Sequence, residues 1–202
     1  MSVHPETGLN EARRLMRKHN IRRLPVVVES RLVGIVTDRD LREASPSPAT
    51  SLSVHELNYL LEKLEVGAIM NKRVITVNPS APLEEAAQLM RDHKIGGLPV
   101  VEGGNVVGMV TEVDILGVLL RALGWGELGT RMEIEVEDRP GALAEIASII
   151  KDHGINIISV LTAPHPELGK RQLVIRLNTS SPDPLVTAMA QAGVNVLSIM
   201  VR

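Results

Sequence analysis

The chain contains no cysteine and no phenylalanine, and aromatic residues make up only 1% of its 202 positions. Without cysteine there can be no disulfide framework and no thiol nucleophile. That fits a reducing cytoplasm, the compartment expected here. The scarcity of aromatics excludes base-stacking platforms of the kind that read single strands or RNA. The formal net charge of -2 lacks the basic excess of a general nucleic-acid binder. No apolar run reaches the roughly 18 residues of a membrane span. The opening "MSVHPETG" lacks the charged and apolar regions of a signal peptide. Neither nucleic acid nor membrane is therefore expected as a partner. What is present is ordinary: 44% hydrophobic and 23% charged residues, as in globular proteins, and enough chain for one large or two smaller domains.

The first informative feature is a repeat. The segment 34-GIVTDRDL-41 returns as 108-GMVTEVDI-115, and Val3 to Leu41 aligns without a gap on Val77 to Ile115. Roughly half of the aligned positions are identical, among them Pro5 with Pro79, Leu9 with Leu83, Ala12 with Ala86, His19 with His93 and "LPVV" with "LPVV". Each copy reads as helix, strand, strand, helix. Leu9, Ala12, Leu15 and Met16 recur at helical spacing, as do Leu83, Ala86, Leu89 and Met90. The runs "LPVVV", "LVGIV", "LPVV" and "VVGMV" are short β runs, and "EGGN" at 102–105 is a hairpin turn. A Pro/Ser-rich linker at 42–51 precedes a helix over about 54–64, which leads into "VGAIMNKRVITV". The first copy starts at the point where the second has finished its strand "VITV": either this copy lacks the lead-in strand or the sequence begins late, and the first repeat is expected with its entry strand truncated. The expected first repeat is 1–52 and the second 53–123.

After Leu123 the repeat stops. The stretch 124–129, "GWGELG" with its flanking leucine left aside, reads as a Gly-rich hinge. From Thr130 to Arg202 the pattern is "RMEIEVE" as a strand, then a helix opened by Pro140-Gly141 and stopped at Gly154, with Leu143, Ile146 and Ile150 on one face. Two more strands follow, "INIISVLT" and "RQLVIRLNT", then the helix "PDPLVTAMAQAG" and the strand "VNVLSIMV". The order β-α-β-β-α-β is the ferredoxin-like split motif.

The doubled Thr-x-x-Asp has two readings. Thr37 with Asp40, and Thr111 with Asp114, are nearly capping boxes, with Thr as N-cap and an acid at N3. An acid there also suits the helix dipole. Equally, a carboxylate can accept both hydroxyls of a ribose, and the Thr hydroxyl and helix N–H groups can face ribose or phosphate. The two roles are compatible, because a carboxylate has lone pairs to spare.

The motifs "IRRLPVV…GIVTDRDL" and "IGGLPVV…GMVTEVDI" resemble the CBS-domain family over roughly residues 1–123. The resemblance implies a tandem pair that binds adenosine nucleotides, of AMP or ATP type, as regulatory ligands and not as cofactors. It implies sites that mix the Thr-x-x-Asp of one copy with the pre-"PV" residues of the other. Thr37 and Asp40 would face Thr76, Ala81, Gly96, Gly97, Leu98 and Pro99. Thr111 and Asp114 would face Ser2, Thr7, Arg22, Arg23, Leu24 and Pro25. Arginine suits phosphate, so the Asp114 site is expected to prefer phosphorylated ligands and the Gly-lined Asp40 site to be roomier and less charged. The basic run Arg13, Arg14, Arg17, Lys18 reads as a solvated helix face.

Residues 130–202 resemble the ACT family, through "VEDRPGALAEIASIIKDHGINI" and the strand order. In that family the loop after the first strand holds a small effector, often an amino acid, at a dimer interface. Carried over, the effector residues would be Asp138, Arg139, Pro140, Gly141 and Asn156. The other reading is that Pro-Gly only starts the helix and the domain only dimerises. The order of modules is similar to that of bacterial acetoin-utilisation (AcuB-type) proteins, which implies a role in acetoin use without naming the regulated protein. The fold class expected is thus α/β (α+β), a CBS pair of β-β-α repeats plus a ferredoxin-like βαββαβ domain.

No catalytic or metal constellation stands out. The six histidines show no metal-ligand spacing, and His19, His93 and His153 fall at helix ends, where the dipole favours them. There is no G-x-S-x-G, P-loop or strand-linked G-x-G-x-x-G. The expectation is a homodimeric ligand sensor, not an enzyme, with no metal. The alternative is an assembly module whose ligand sites are vestigial.

Overall fold

The computed structural model describes residues 1–44 and 64–202. The helix expected over about 54–64 and most of the 42–51 linker lie outside the described residues. The chain forms two compact units, Met1–Ile115 and Leu116–Arg202.

In the first unit, helix α1 (Leu9–Lys18) is followed by the hairpin β1 (Arg23–Val28) and β2 (Arg31–Thr37), then helix α2 (Asp38–Glu43). A short helix α3 (Val66–Ile69) leads to the second copy: α4 (Leu83–His93), β3 (Gly97–Glu102), β4 (Asn105–Thr111) and α5 (Glu112–Ala122). The repeat holds down to local detail. Both hairpins carry a bulge at the same place, Val26/Val27 and Val100/Val101. Both helices preceding a hairpin are followed by a left-handed residue, Asn20 and Lys94. The two hairpins join as one four-stranded sheet in the order β1-β2-β4-β3. Each helix buries the expected stripe. Leu9, Ala12 and Met16 pack with Leu24, Val26, Val36 and Leu41, while Ala86 and Met90 pack with Leu98 and Ile115.

The lead-in differs from its reading. "VITV" is not a strand; only Val77 bridges, in parallel, to Val100, and Val3 bridges to Val26 in the same way. The two copies therefore share this bridge. Between the copies, α3 places Val66 in the first core, and residues 70–76 lead from it to Val77.

The second unit has β5 (Thr130–Glu137), α6 (Ala142–Asp152), β6 (Ile157–Pro164), β7 (Lys170–Leu177), α7 (Asp183–Gln191) and β8 (Asn195–Val201). All pairings are antiparallel, in the order β6-β7-β5-β8, as the split motif requires. Alternation puts Met132, Ile134, Leu173, Ile175 and Leu177 on the face covered by the helices, against Ile146, Ile150, Leu185 and Met189. Leu143, expected on the buried stripe, is exposed; Ile149 takes its place beside Ile146 and Ile150.

The stretch 124–129 is not a free hinge. The carbonyl of Leu123 accepts from Ser159 Oγ at 3.0 Å and from Arg176 Nε at 3.3 Å. Gly129 exchanges two backbone hydrogen bonds with Arg202. A Cβ on Gly129 would run into the carbonyl of Leu177, and its φ of +143° is one that other residues avoid. The glycines here let the chain lie close on the sheet.

Candidate functional site

Both Thr-x-x-Asp motifs fold as capping boxes. Thr37 Oγ1 accepts from the Asp40 N–H at 3.3 Å, while Asp40 Oδ2 accepts from the Thr37 N–H and from its hydroxyl, each at 2.7 Å. The second copy repeats this with Thr111 and Asp114 at 2.8, 2.6 and 3.3 Å. All the carboxylate contacts run through Oδ2. Among the described residues Oδ1 of either aspartate has no protein hydrogen bond, so each carboxylate keeps one oxygen for another partner.

Each aspartate opens onto a cavity. The Asp40 cavity, about 160 Å³, is lined by Thr37, Asp40, Gly97 and Pro99 together with Arg23, Asn71 and Arg73, and by Ile35, Ile75 and Ile95. The Asp114 cavity, about 660 Å³, is lined by Thr111, Asp114, Arg22, Arg23 and Gly96 with Asn20, Glu112 and Val113, and by Met1, Ile21 and Met109. The two are related by the repeat. Ile35, Ile75 and Ile95 occupy the positions equivalent to Met109, Met1 and Ile21, giving each cavity an apolar wall.

The expected size order is reversed: the Asp114 cavity is the roomier one. Asn71, Arg73 and Val74 line the Asp40 cavity alongside its motif residues. The expected charge difference does not hold either. Arg23 and Arg73 line the Asp40 cavity, so both cavities hold two guanidinium groups. Arg23 belongs to both. Burial lowers its pKa most strongly, the Glu112 carboxylate acts in the opposite direction, and Arg22 lowers it further.

The remaining expected residues line neither cavity, or line the other one. Gly96 opens onto the Asp114 side, not the Asp40 side. Leu24 and Leu98 are fully buried in the two cores. Pro25 is buried and its carbonyl receives the Val3 N–H. Thr7 Oγ1 accepts from the His4 N–H. Ala81 packs on the second core, and Ser2 and Thr76 are exposed outside the cavity linings. Sequence reasoning missed Asn71, Arg73 and the isoleucine wall. The wall had a signal, since each of its members recurs at the equivalent position of the other copy as Ile or Met.

In the second unit the expected effector loop is already paired. Arg139 grips both oxygens of Glu145 at 2.8 and 2.7 Å and also donates to Glu137 at 3.0 Å. Asp138 accepts from Arg171 Nε at 2.7 Å. Pro140 and Gly141 are exposed, and Gly141, at φ +91°, caps α6. Asn156 is not at this loop. It precedes Ile157, which aligns with Leu177 and Thr130, whereas the loop follows Glu137 at the far end of β5. The separation is a strand length, roughly 20 Å or more.

Glu135, His165 and Glu167 do come within metal-ligating distance of one another, which the linear spacing concealed. Lys170 bonds Glu135 at 3.1 Å and Glu167 at 2.8 Å, and His165 sits 3.1 Å from Glu135. An ammonium group thus already neutralises this cluster.

Comparison with known proteins agrees with the repeat and the split motif. Residues 1–47 and 66–121 match the CBS domain, and residues 130–188 match the ACT domain. A CBS domain-containing protein of Dictyostelium discoideum is 38% identical over 124 residues, 60% of this chain and 86% of that protein. An inosine-5'-monophosphate dehydrogenase of Korarchaeum cryptofilum is 44% identical over 116 residues, 57% of this chain but only 21% of that enzyme. Among solved structures, a protein assigned to acetoin utilization (AcuB) from Vibrio cholerae superposes with a TM-score of 0.51 at 33% identity, over 61% of this chain and 84% of that one. Half the chain matching one family, in two copies that share their capping boxes and cavities, places this protein in the CBS-domain family, as a CBS pair followed by an ACT domain.

Proposed function

We propose that the CBS pair is a sensor of adenosine nucleotides of the AMP or ATP type, and that the chain regulates a partner protein and catalyses no reaction itself. One observation carries this reading. In both copies the capping aspartate keeps a free oxygen at the edge of a cavity that also holds arginine and an apolar wall. A ribose diol suits the carboxylate, a phosphate suits the guanidinium groups, and an adenine suits the Ile or Met wall. The kinship with the dehydrogenase lies in about a fifth of that enzyme.

Size separates the two sites. A cavity of about 660 Å³ lies within the ~300–1,000 Å³ of ordinary ligand pockets, and one of about 160 Å³ does not. The Asp114 cavity is therefore the primary nucleotide site, and the Asp40 cavity takes a nucleotide only on widening. A thermal-shift panel of AMP, ATP, adenosine and GMP tests this. Stabilisation by AMP and ATP above adenosine supports the reading, and equal indifference to all four contradicts it.

For the ACT domain the pairing of Arg139 with Glu145 and of Asp138 with Arg171 favours dimerisation over an amino-acid effector at that loop. β6 and β8 are open edges, and Leu197, Ile199 and Val201 are exposed on β8. On α5, Val113 is 77% exposed, with Leu116 and Leu119 also in solvent. These are surfaces for a second copy, and a homodimer is the assembly we expect. Likeness to the Vibrio cholerae protein suggests acetoin use as the regulated process, in the cytoplasm. No described helix is long and apolar enough to cross a membrane.

The second reading is an assembly module. It is favoured by the capping boxes, which give both motifs a complete structural role without ligand.

A further inference from the structure

Arg176 is only 5% exposed, yet no carboxylate forms an ion pair with it among the described residues. It lies on the sheet face of the second unit opposite the helices. Its Nε donates to the Leu123 carbonyl at 3.3 Å and its Nη1 to the Glu127 carbonyl at 3.5 Å. Its ring partner is Trp125, with the guanidinium 5.9 Å from the ring centroid. No bond uses Nη2. No buried side-chain nitrogen or oxygen lacks a hydrogen bond among the described residues, so Nη2 must reach open space. Arg176 lines a cavity of about 100 Å³ together with Arg131, Ser159, Leu161, Val174 and Trp125.

The charges around this cavity do not balance. Arg131 stands directly across from Arg176 on the neighbouring strand, an arrangement that repels. The Arg202 guanidinium also lies over Trp125, 5.1 Å from the ring centroid. Glu133, paired with Arg131, is the carboxylate at this group. A buried cation held only by carbonyls and a ring is costly until an anion joins it.

We propose that this cavity binds a small monocarboxylate with a short apolar tail. The carboxylate bridges Nη2 of Arg176 and the Arg131 guanidinium, and the tail lies among Leu120, Leu161, Val174 and Trp125. The volume, well under the ~300–1,000 Å³ of larger ligand sites, limits the tail to a few carbons. Charge also sets the class. An α-ammonium group would enter a site that already carries excess positive charge, so a free amino acid binds less well than the matching simple acid. The site is separate from the Asp138–Gly141 loop, which lies at the other end of β5.

Trp125 is the chain's single tryptophan and lines the cavity, so its emission reports occupancy. The test titrates the full chain with isovalerate, with the uncharged isovaleramide and with L-valine. The expected result is a saturable change with isovalerate, none with the amide, and weaker binding of L-valine. Arg131→Gln, at a partly exposed position, weakens isovalerate by at least about tenfold. Glu133→Gln, which frees Arg131, tightens it. Leu161→Phe fills the cavity and abolishes the response without altering charge. A response to the amide equal to that of the acid, or no saturable response to isovalerate in a folded wild-type chain, overturns the proposal. Preference for L-valine over isovalerate also overturns it.

Discussion

Arg23 lies across the backbone of Gly96: a Cβ on that glycine would meet the Arg23 guanidinium and, at 2.8 Å, the carboxylate of Glu112. The same arginine lines the Asp40 and the Asp114 cavities. One cation therefore serves two sites. Replacing Arg23 by Ala is expected to weaken nucleotide binding at both, by about tenfold each for the loss of one charge-assisted contact. Arg22→Ala is expected to weaken the Asp114 site alone. Titration in Asp40→Asn and Asp114→Asn backgrounds reads each site separately. An effect of Arg23→Ala confined to one site would sink the shared role.

The two glycines beside Arg23 are expected to respond differently to alanine. At Gly96 the obstacles are ends of flexible side chains, which can move, so Gly96→Ala costs little stability but displaces Arg23. At Gly97 the new Cβ meets the Val110 carbonyl at 3.1 Å and the Thr111 methyl at 3.3 Å, and the backbone cannot give way as easily. Gly97→Ala should cost more, on the order of 1–3 kcal/mol of overpacking. Chemical denaturation of the two variants measures the difference, and equal costs would contradict this account.

The first hairpin turns through two left-handed residues that are not glycine, Glu29 at φ +49° and Ser30 at φ +72°. Its counterpart uses Gly103 and Gly104 at +57° and +89°. Turns with both central residues at positive φ favour Asn-Gly. The double change Glu29→Asn, Ser30→Gly is expected to stabilise the first unit by up to about 1 kcal/mol, read as a raised denaturation midpoint. A lowered midpoint would show that the Glu29 or Ser30 side chain supports the turn.

Acid should loosen the second unit through its paired glutamates. Hydrogen bonds from Arg131 hold Glu133 below the usual carboxylate range, Lys170 does so for Glu135, and Arg139 for Glu145. A depressed folded pKa contributes stability that is present above the unfolded value, about 4.3 for Glu, and is lost as the pH falls through the folded one. Lys170, raised by Glu167 and Glu135, has the opposite sense: its contribution is present below the unfolded value and is lost at strongly alkaline pH. Lys170→Met is expected to flatten both limbs of the stability profile. An unchanged acid limb in this variant would show that Glu135 contributes nothing there. The effect should be modest, since these groups are at the surface.

Much of the fold was legible in the sequence because duplication and strand alternation are local patterns. The gapless repeat carried both hairpins and their helices, and Leu173, Ile175 and Leu177 all proved buried. Leu143 misled because an apolar residue in a helix's first turn fits the stripe by spacing yet faces solvent. Of the sites, the two capping aspartates and Arg22 were legible, since they recur or flank a motif. The sharing of Arg23 was not, because a long side chain at a strand start reaches past its own site. Nor was the lining of the Asp40 cavity by Asn71 and Arg73, which belong to neither motif. The Arg131 and Arg176 pair was hidden for a related reason: residues 45 positions apart become neighbours only through strand register.

The most direct measurement is calorimetric titration of AMP into the wild-type chain and into Asp114→Asn. Asparagine at this third helical position keeps a carbonyl oxygen that can accept from the Thr111 N–H and hydroxyl, as Asp114 Oδ2 does, but offers the ribose no charge. The expected result is an unchanged unfolding midpoint and an affinity lower by about tenfold or more. Equal AMP affinity in the two proteins, or no heat of binding in either, would contradict the ribose-clamp reading and leave Thr111 and Asp114 as a helix cap alone.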